Sequence, residues 1–178
     1  DLDHLMNHFG VNNGQVRISR EKVGPDHLAM MYNLADCTVN ISDAEGFGLA
    51  TLESLSCATP IIATMTGGLQ EQVTDGEDWF GIGIEPASKA LIGSQQVPYI
   101  FEDRVSEEDV INAFKKMYEM SEEDRKALGQ AGRNHVQKNY NFADYQKRWV
   151  EVMDGAHEKH GSWENRKNYS PWTLKKIL

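Results

Sequence analysis

Residues 35–71 read ADCTVNISDAEGFGLATLESLSCATPIIATMTGGLQE. Cys37 to Ile41 is β-rich and only partly alternating, the pattern of a strand buried on both faces of a parallel sheet. Gly46-Phe47-Gly48 is a turn, and a helical run follows from about Gly48 to Cys57. Pro60 to Thr64 is a second buried strand, Thr66-Gly67-Gly68 a second turn, and Leu69 to Val73 a short helix. Ile82 to Ile84 adds a third strand. Short apolar strands alternating with helices imply right-handed βαβ units, so the fold class is α/β with a parallel sheet flanked by helices.

Upstream, Leu2, Leu5, Met6 and Phe9 recur at helical spacing and Gly10 is a stop. Val16 to Ser19 reads as a short strand, and Pro25-Asp26 opens a helix through Leu28, Met31, Tyr32 and Leu34. Downstream the pattern turns helical. Ser106-x-x-Asp109 is a capping-box variant, and Val110, Ala113, Phe114, Met117 and Tyr118 form one apolar stripe. Further helices run from about Ser121 to Lys138 and from about Phe142 to Met153. Between these halves, residues 85–105 hold two prolines and no clear period, which reads as a long irregular loop. Lys89, Tyr99 and Arg104 in that loop fit either a place facing the site or an exposed excursion. Residues 154–178 shift to a basic, aromatic tail with Trp163, Tyr169 and Trp172, expected to pack on another domain or subunit.

Bulk composition narrows the function classes. The 178 residues suffice for one domain with a full core, and the net charge of 18 − 27 = −9 argues against nucleic acid or an anionic membrane as main partner. No apolar stretch approaches the roughly 20 residues that span a bilayer. Cys37 and Cys57 lie in apolar runs, so they read as reduced core residues and point to a cytoplasmic setting. The six histidines do not cluster with acidic or cysteine residues at metal spacing, and Asp36, in an Ala-Asp-Cys run, is not part of an Asp-x-Asp. No metal and no cofactor is therefore expected. Ser54 and Ser56 lack a partnered base, which leaves nucleophilic hydrolysis unsupported.

The chemistry concentrates in Glu45-Gly46-Phe47-Gly48-Leu49-Ala50-Thr51-Leu52-Glu53. Glycines permit a tight turn and close approach to a ligand. The helix that follows offers free amides at its N-terminus, an anion site suited to a diphosphate. Glu53, about one and a half turns along, suits a vicinal diol as a bidentate acceptor. Glu45, before the turn, suits the hydroxyls or anomeric carbon of a sugar. Breaking a glycosyl–phosphate bond develops positive charge on the sugar and negative charge on the phosphate, and this arrangement stabilises both.

The whole run resembles the nucleotide-sugar site of retaining GT-B glycosyltransferases of family 4, the group 1 transferases. The resemblance covers roughly residues 1–153 and is dense from 25 to 76. It implies a Rossmann-like fold, the C-terminal, donor-binding half of such an enzyme. Its Glu-x7-Glu motif maps Glu45 to the donor sugar, as the catalytic position, and Glu53 to the ribose hydroxyls. Phe47, Gly48 and Leu49 map to the amides around sugar and diphosphate, and Gly67 and Gly68 to the turn beside them. Ser19 and Arg20 map to the segment bordering the base; Arg20 and Lys22 otherwise read as plain surface charge.

Three departures stand out. Ile41-Ser42-Asp43-Ala44 replaces the family's Pro-Ser loop, and Cys57-Ala58-Thr59-Pro60 lacks its Gly. The domain's first strand, the Arg and Lys before the diphosphate, and the N-terminal acceptor domain are not in the sequence. The implied activity is retaining hexosyl transfer from a nucleotide diphosphate sugar, UDP- or GDP-linked, to a carbohydrate or lipid-linked acceptor. The isolated chain is expected to be inactive and to self-associate. A non-catalytic sugar-nucleotide or glycan binding module is the alternative; both glutamates and both glycine turns favour the enzyme.

Overall fold

The computed structural model describes residues 1–168, so Tyr169 and Trp172 of the tail lie outside the described residues. Three parallel strands form the central sheet in the order β1-β2-β3: β1 (Thr38–Asn40), β2 (Ile61–Thr64) and β3 (Ile82–Ile84). β1 pairs with β2 from Thr38↔Ile61 to Asn40↔Ala63, and β2 with β3 from Ile62↔Ile82 to Thr64↔Ile84. β2 is buried throughout, which is why it reads as an unbroken apolar run.

Alternation along β2 feeds two cores. Ile61 and Ala63 join Leu55, Leu69, Val73 and Val136, from α3 (Leu49–Ser56), α4 (Leu69–Val73) and α6 (Glu122–Asn139). Ile62 joins Ile82, Ile84, Ala113 and Met117, the last two from α5 (Glu107–Glu119). Helices thus cover both faces. The expected stripe on α5 is only partly used: Ala113 and Met117 are buried, whereas Phe114 and Tyr118 are exposed. Nothing described packs beyond them on that side.

The capping reading holds. Ser106 accepts from the Asp109 amide at the start of α5, and Ser121 does the same for Asp124 at the start of α6. Upstream lie α1 (Leu2–His8) and α2 (Pro25–Leu34), the latter begun by Pro25.

Three expectations are corrected. Val16–Ser19 forms no strand. An extended segment becomes a strand only where its amides and carbonyls meet a neighbour, and no described strand runs beside it. Residues 85–105 are not structureless. They form an antiparallel hairpin of β4 (Ser88–Ile92) and β5 (Ile100–Arg104), whose cross-strand pairing a periodicity reading of 85–105 missed. Finally, α7 runs from Phe142 to His160, so the first residues assigned to the tail are helix, which ends at Gly161 with φ 75°. Cys37 and Cys57 are both free and half-buried. Burial pushes the Cys37 thiol up to about 11, leaving it an unreactive protonated group.

Candidate functional site at the two glycine turns

The site is built where β1 and β2 release the chain at the same end of the sheet. Gly48 caps α3 in the left-handed region, φ 87° and ψ 59°, and among the described residues no side chain caps that N-terminus. The first amides of the helix therefore have no intrahelical acceptor and remain available to a ligand.

The second turn locks the first. The Gly68 amide donates to the Gly46 carbonyl at 3.0 Å. Gly67 sits with φ 50° so close that an added Cβ would lie 1.7 Å from the Glu45 carbonyl oxygen. The two glycine turns are thus one packed unit, and the backbone of Glu45 to Phe47 is its contact surface. From α4, buried Gln72 donates to the Phe47 carbonyl at 2.5 Å.

Glu45 is half-buried, while Glu53 is exposed on α3. The Tyr32 hydroxyl, from α2, donates to the Glu53 carboxylate at 3.0 Å. Partial burial, reinforced by that hydrogen bond, pushes the Tyr32 phenol up to about 12. Tyr32 therefore remains a donor across the physiological range and orients Glu53. The floor of the site is aromatic: Phe47 meets Tyr140 edge-on at 6.0 Å, Tyr140 meets His135 at 5.7 Å, and His135 stacks on Phe80 at 4.2 Å. His135 and Tyr140 both bond to the Glu71 carbonyl, at 2.9 and 3.2 Å, tying α6 to the end of α4. Beside Phe47, an open apolar groove of about 590 Å³ is lined by Leu52, Tyr140, Phe142, Tyr145 and Trp149.

Of the residues singled out in the sequence, Glu45, Phe47, Gly48, Leu49, Glu53, Gly67 and Gly68 fall in or beside this unit. Arg20 does not join it in the described contacts; its guanidinium pairs with Asp3 at 3.2 Å, both exposed. Among the described residues Ser19 bonds locally, to the Glu21 carbonyl. Arg104 comes near through the hairpin, pairing with Asp43 at 2.9 Å and Glu102 at 2.7 Å. The Asp103 amide donates to the Asp43 carbonyl at 2.7 Å, so the hairpin is fastened two residues before Glu45. Lys89 pairs with Asp103 at 3.8 Å, and Tyr99 is exposed. Tyr32, Gln72, His135 and Tyr140 were missed. Their partners lie 21 to 69 residues away, and no local spacing signals such contacts.

The sequence profile described as "Glycosyl transferases group 1" matches residues 3–135. The chain belongs to this family. Its fold is that of the C-terminal domains of GT-B glycosyltransferases. Among curated relatives, the D-inositol 3-phosphate glycosyltransferase of Acidothermus cellulolyticus is 43% identical over 67 residues, 37% of this chain and 15% of that protein. The sucrose-phosphate synthase of Thermosynechococcus elongatus superposes with a TM-score of 0.67 at 22% identity, covering 88% of this chain and 34% of that one. Anabaena Alr3699/HepE, in complex with UDP and glucose, gives 0.65 at 15% identity, covering 86% and 35%. The matched stretch thus spans a small part of the relatives' length. Among the described residues, no helix is long and apolar enough to cross a membrane.

Proposed function

We propose that this chain is the donor-binding half of a retaining glycosyltransferase that takes a hexose from a nucleotide diphosphate sugar. One observation carries the reading. The Gly67-Gly68 turn seats on the backbone of Glu45 to Phe47, leaving the uncapped N-terminus of α3 between two carboxylates, Glu45 and Glu53. Backbone amides at that N-terminus meet the diphosphate and neutralise it without a metal. Glu53, steadied by Tyr32, holds the ribose diol, and Glu45 faces the sugar, where positive charge develops. Gly67, Gly68 and Leu49 shape this pocket, and Ser19 and Arg20 border the base. The UDP held by the Anabaena neighbour supports a uridine-linked donor, with GDP as the second choice. The acceptor, carbohydrate or lipid-linked, requires a surface outside this domain, so the isolated chain binds donor without turnover. Free, half-buried thiols suit a cytoplasmic setting.

Calorimetric titration of the chain with UDP, GDP and ADP, in excess EDTA, tests the reading. Saturable binding of one of them is expected. Failure of all three, or binding only when Mn²⁺ or Mg²⁺ is restored, would overturn it. A companion measurement concerns Glu53→Ala. It is expected to weaken nucleotide binding by about 1.5–3 kcal/mol, the usual worth of a hydrogen bond to a charged group. Unchanged affinity in the folded variant would remove Glu53 from the site.

A further inference from the structure

Gln72 occupies an apolar place. Its neighbours on α4, Leu69 and Val73, are fully buried core residues, and Gln72 is itself 0% exposed. Burying a primary amide is costly unless both of its ends are satisfied. Here only one end is. The Nε2 group donates to the Phe47 carbonyl at 2.5 Å, while Oε1 has no partner among the described residues. That orientation follows from chemistry, because Oε1 in the same place would face another acceptor. A leucine would fill this space without an unpaired oxygen but would leave the Phe47 carbonyl without its donor, so the amide is explained by that carbonyl and not by apolar packing.

Peptide geometry offers an account. The Phe47–Gly48 peptide is planar and trans, so its carbonyl and its N–H point in opposite directions. Gln72 holds the carbonyl towards α4, which turns the N–H of buried Gly48 to the opposite side, at the start of α3. Gly48, free of a Cβ, could also tolerate the flipped peptide, which would aim a carbonyl oxygen at the anion instead. The Gln72 side chain blocks the space beneath: a Cβ at Gly48 would lie 3.3 Å from Oε1.

We propose that Gln72 is a positioning residue, which holds the Phe47–Gly48 peptide so that the Gly48 N–H donates to the diphosphate of a nucleotide ligand. The proposal rests on the donor-binding reading above. Two variants of the full chain test it. Gln72→Leu should weaken UDP binding about tenfold or more, as expected for one lost hydrogen bond to a charged group, while lowering the unfolding temperature only slightly, because the freed Phe47 carbonyl can turn away from the core. Its crystal structure should show the Phe47–Gly48 peptide turned over. Gln72→Glu can donate to the Phe47 carbonyl only while its buried carboxyl is protonated. Its UDP affinity should therefore approach that of wild type as pH falls, a rise beyond any that wild type shows.

Wild-type affinity in Gln72→Leu with the peptide unmoved would overturn the proposal. So would a lowered unfolding temperature with affinity intact, the mark of a packing role alone. Should Gln72→Leu not fold, the pH profile of Gln72→Glu decides, and a flat profile overturns the proposal. Should wild type itself bind no nucleotide, the donor reading fails separately, and with it the ligand role of the Gly48 N–H.

Discussion

Gly67→Ala is expected to dismantle the site rather than trim it. The new Cβ would meet the Glu45 carbonyl oxygen at 1.7 Å and its carbon at 2.8 Å, both backbone atoms that no rotamer change can move. The residue would also be held at φ 50°, a region that costs an L-residue about 1 kcal/mol. The two turns must separate, and with them the Gly68-to-Gly46 hydrogen bond. A loss of about 3–5 kcal/mol in folding free energy is expected, in the range reserved for strain and steric conflict in packed regions. Gly76→Ala provides the control. Gly76 has φ 96° but nothing within 4 Å of an added Cβ, so it should cost only the backbone term, about 1 kcal/mol. Denaturant unfolding of the three proteins side by side measures both. Equal, mild losses in the two variants would show that the turns are not a packed unit.

The second large effect is on turnover. In an enzyme that carries this domain together with its acceptor half, Glu45→Gln should lower kcat by about 10²–10³, the size of effect seen when one preorganised electrostatic group is removed. Affinity for bare UDP should change little. The separation is expected because positive charge on the sugar appears mainly in the transition state, whereas under the proposed function the nucleotide would meet the amides of α3 and Glu53 in every state. The geometry is consistent with this division. The Glu45 backbone is held by the Gly67 turn, and its side chain lies against Gly48: Glu45 Cγ is 3.5 Å from a Cβ placed there. Single-turnover kinetics with calorimetry on the same variant would separate the two quantities. Parallel losses in both would make Glu45 a ground-state contact only.

Both effects depend on how three separate stretches of chain meet. Gly67 acts on Glu45 from 22 positions away, Gln72 on Phe47 from 25, and Tyr32 on Glu53 from 21. The hairpin adds a fourth attachment through Arg104 and Asp43, an exposed pair worth little alone but backed by the Asp103-to-Asp43 backbone bond.

What could be read from the sequence was whatever local physics sets. The three parallel strands and α3 follow from apolar runs bounded by glycine and proline. The starts of α5 and α6 follow from Ser106 and Ser121, whose hydroxyls satisfy amides three residues on. The turn with its two glutamates was legible because glycine spacing encodes backbone conformation directly. Local signals could not decide pairings between distant segments. The 88–104 hairpin depends on cross-strand contacts, Val16–Ser19 had strand composition but no neighbour, and Phe114 and Tyr118 had core spacing with nothing described above them. Gln72 is the sharpest case. Its sequence neighbourhood marks it as a polar residue on a short helix, and only packing buries it beneath Gly48. A hydrogen bond's worth depends on burial and on the partner's direction, and tertiary structure alone sets both.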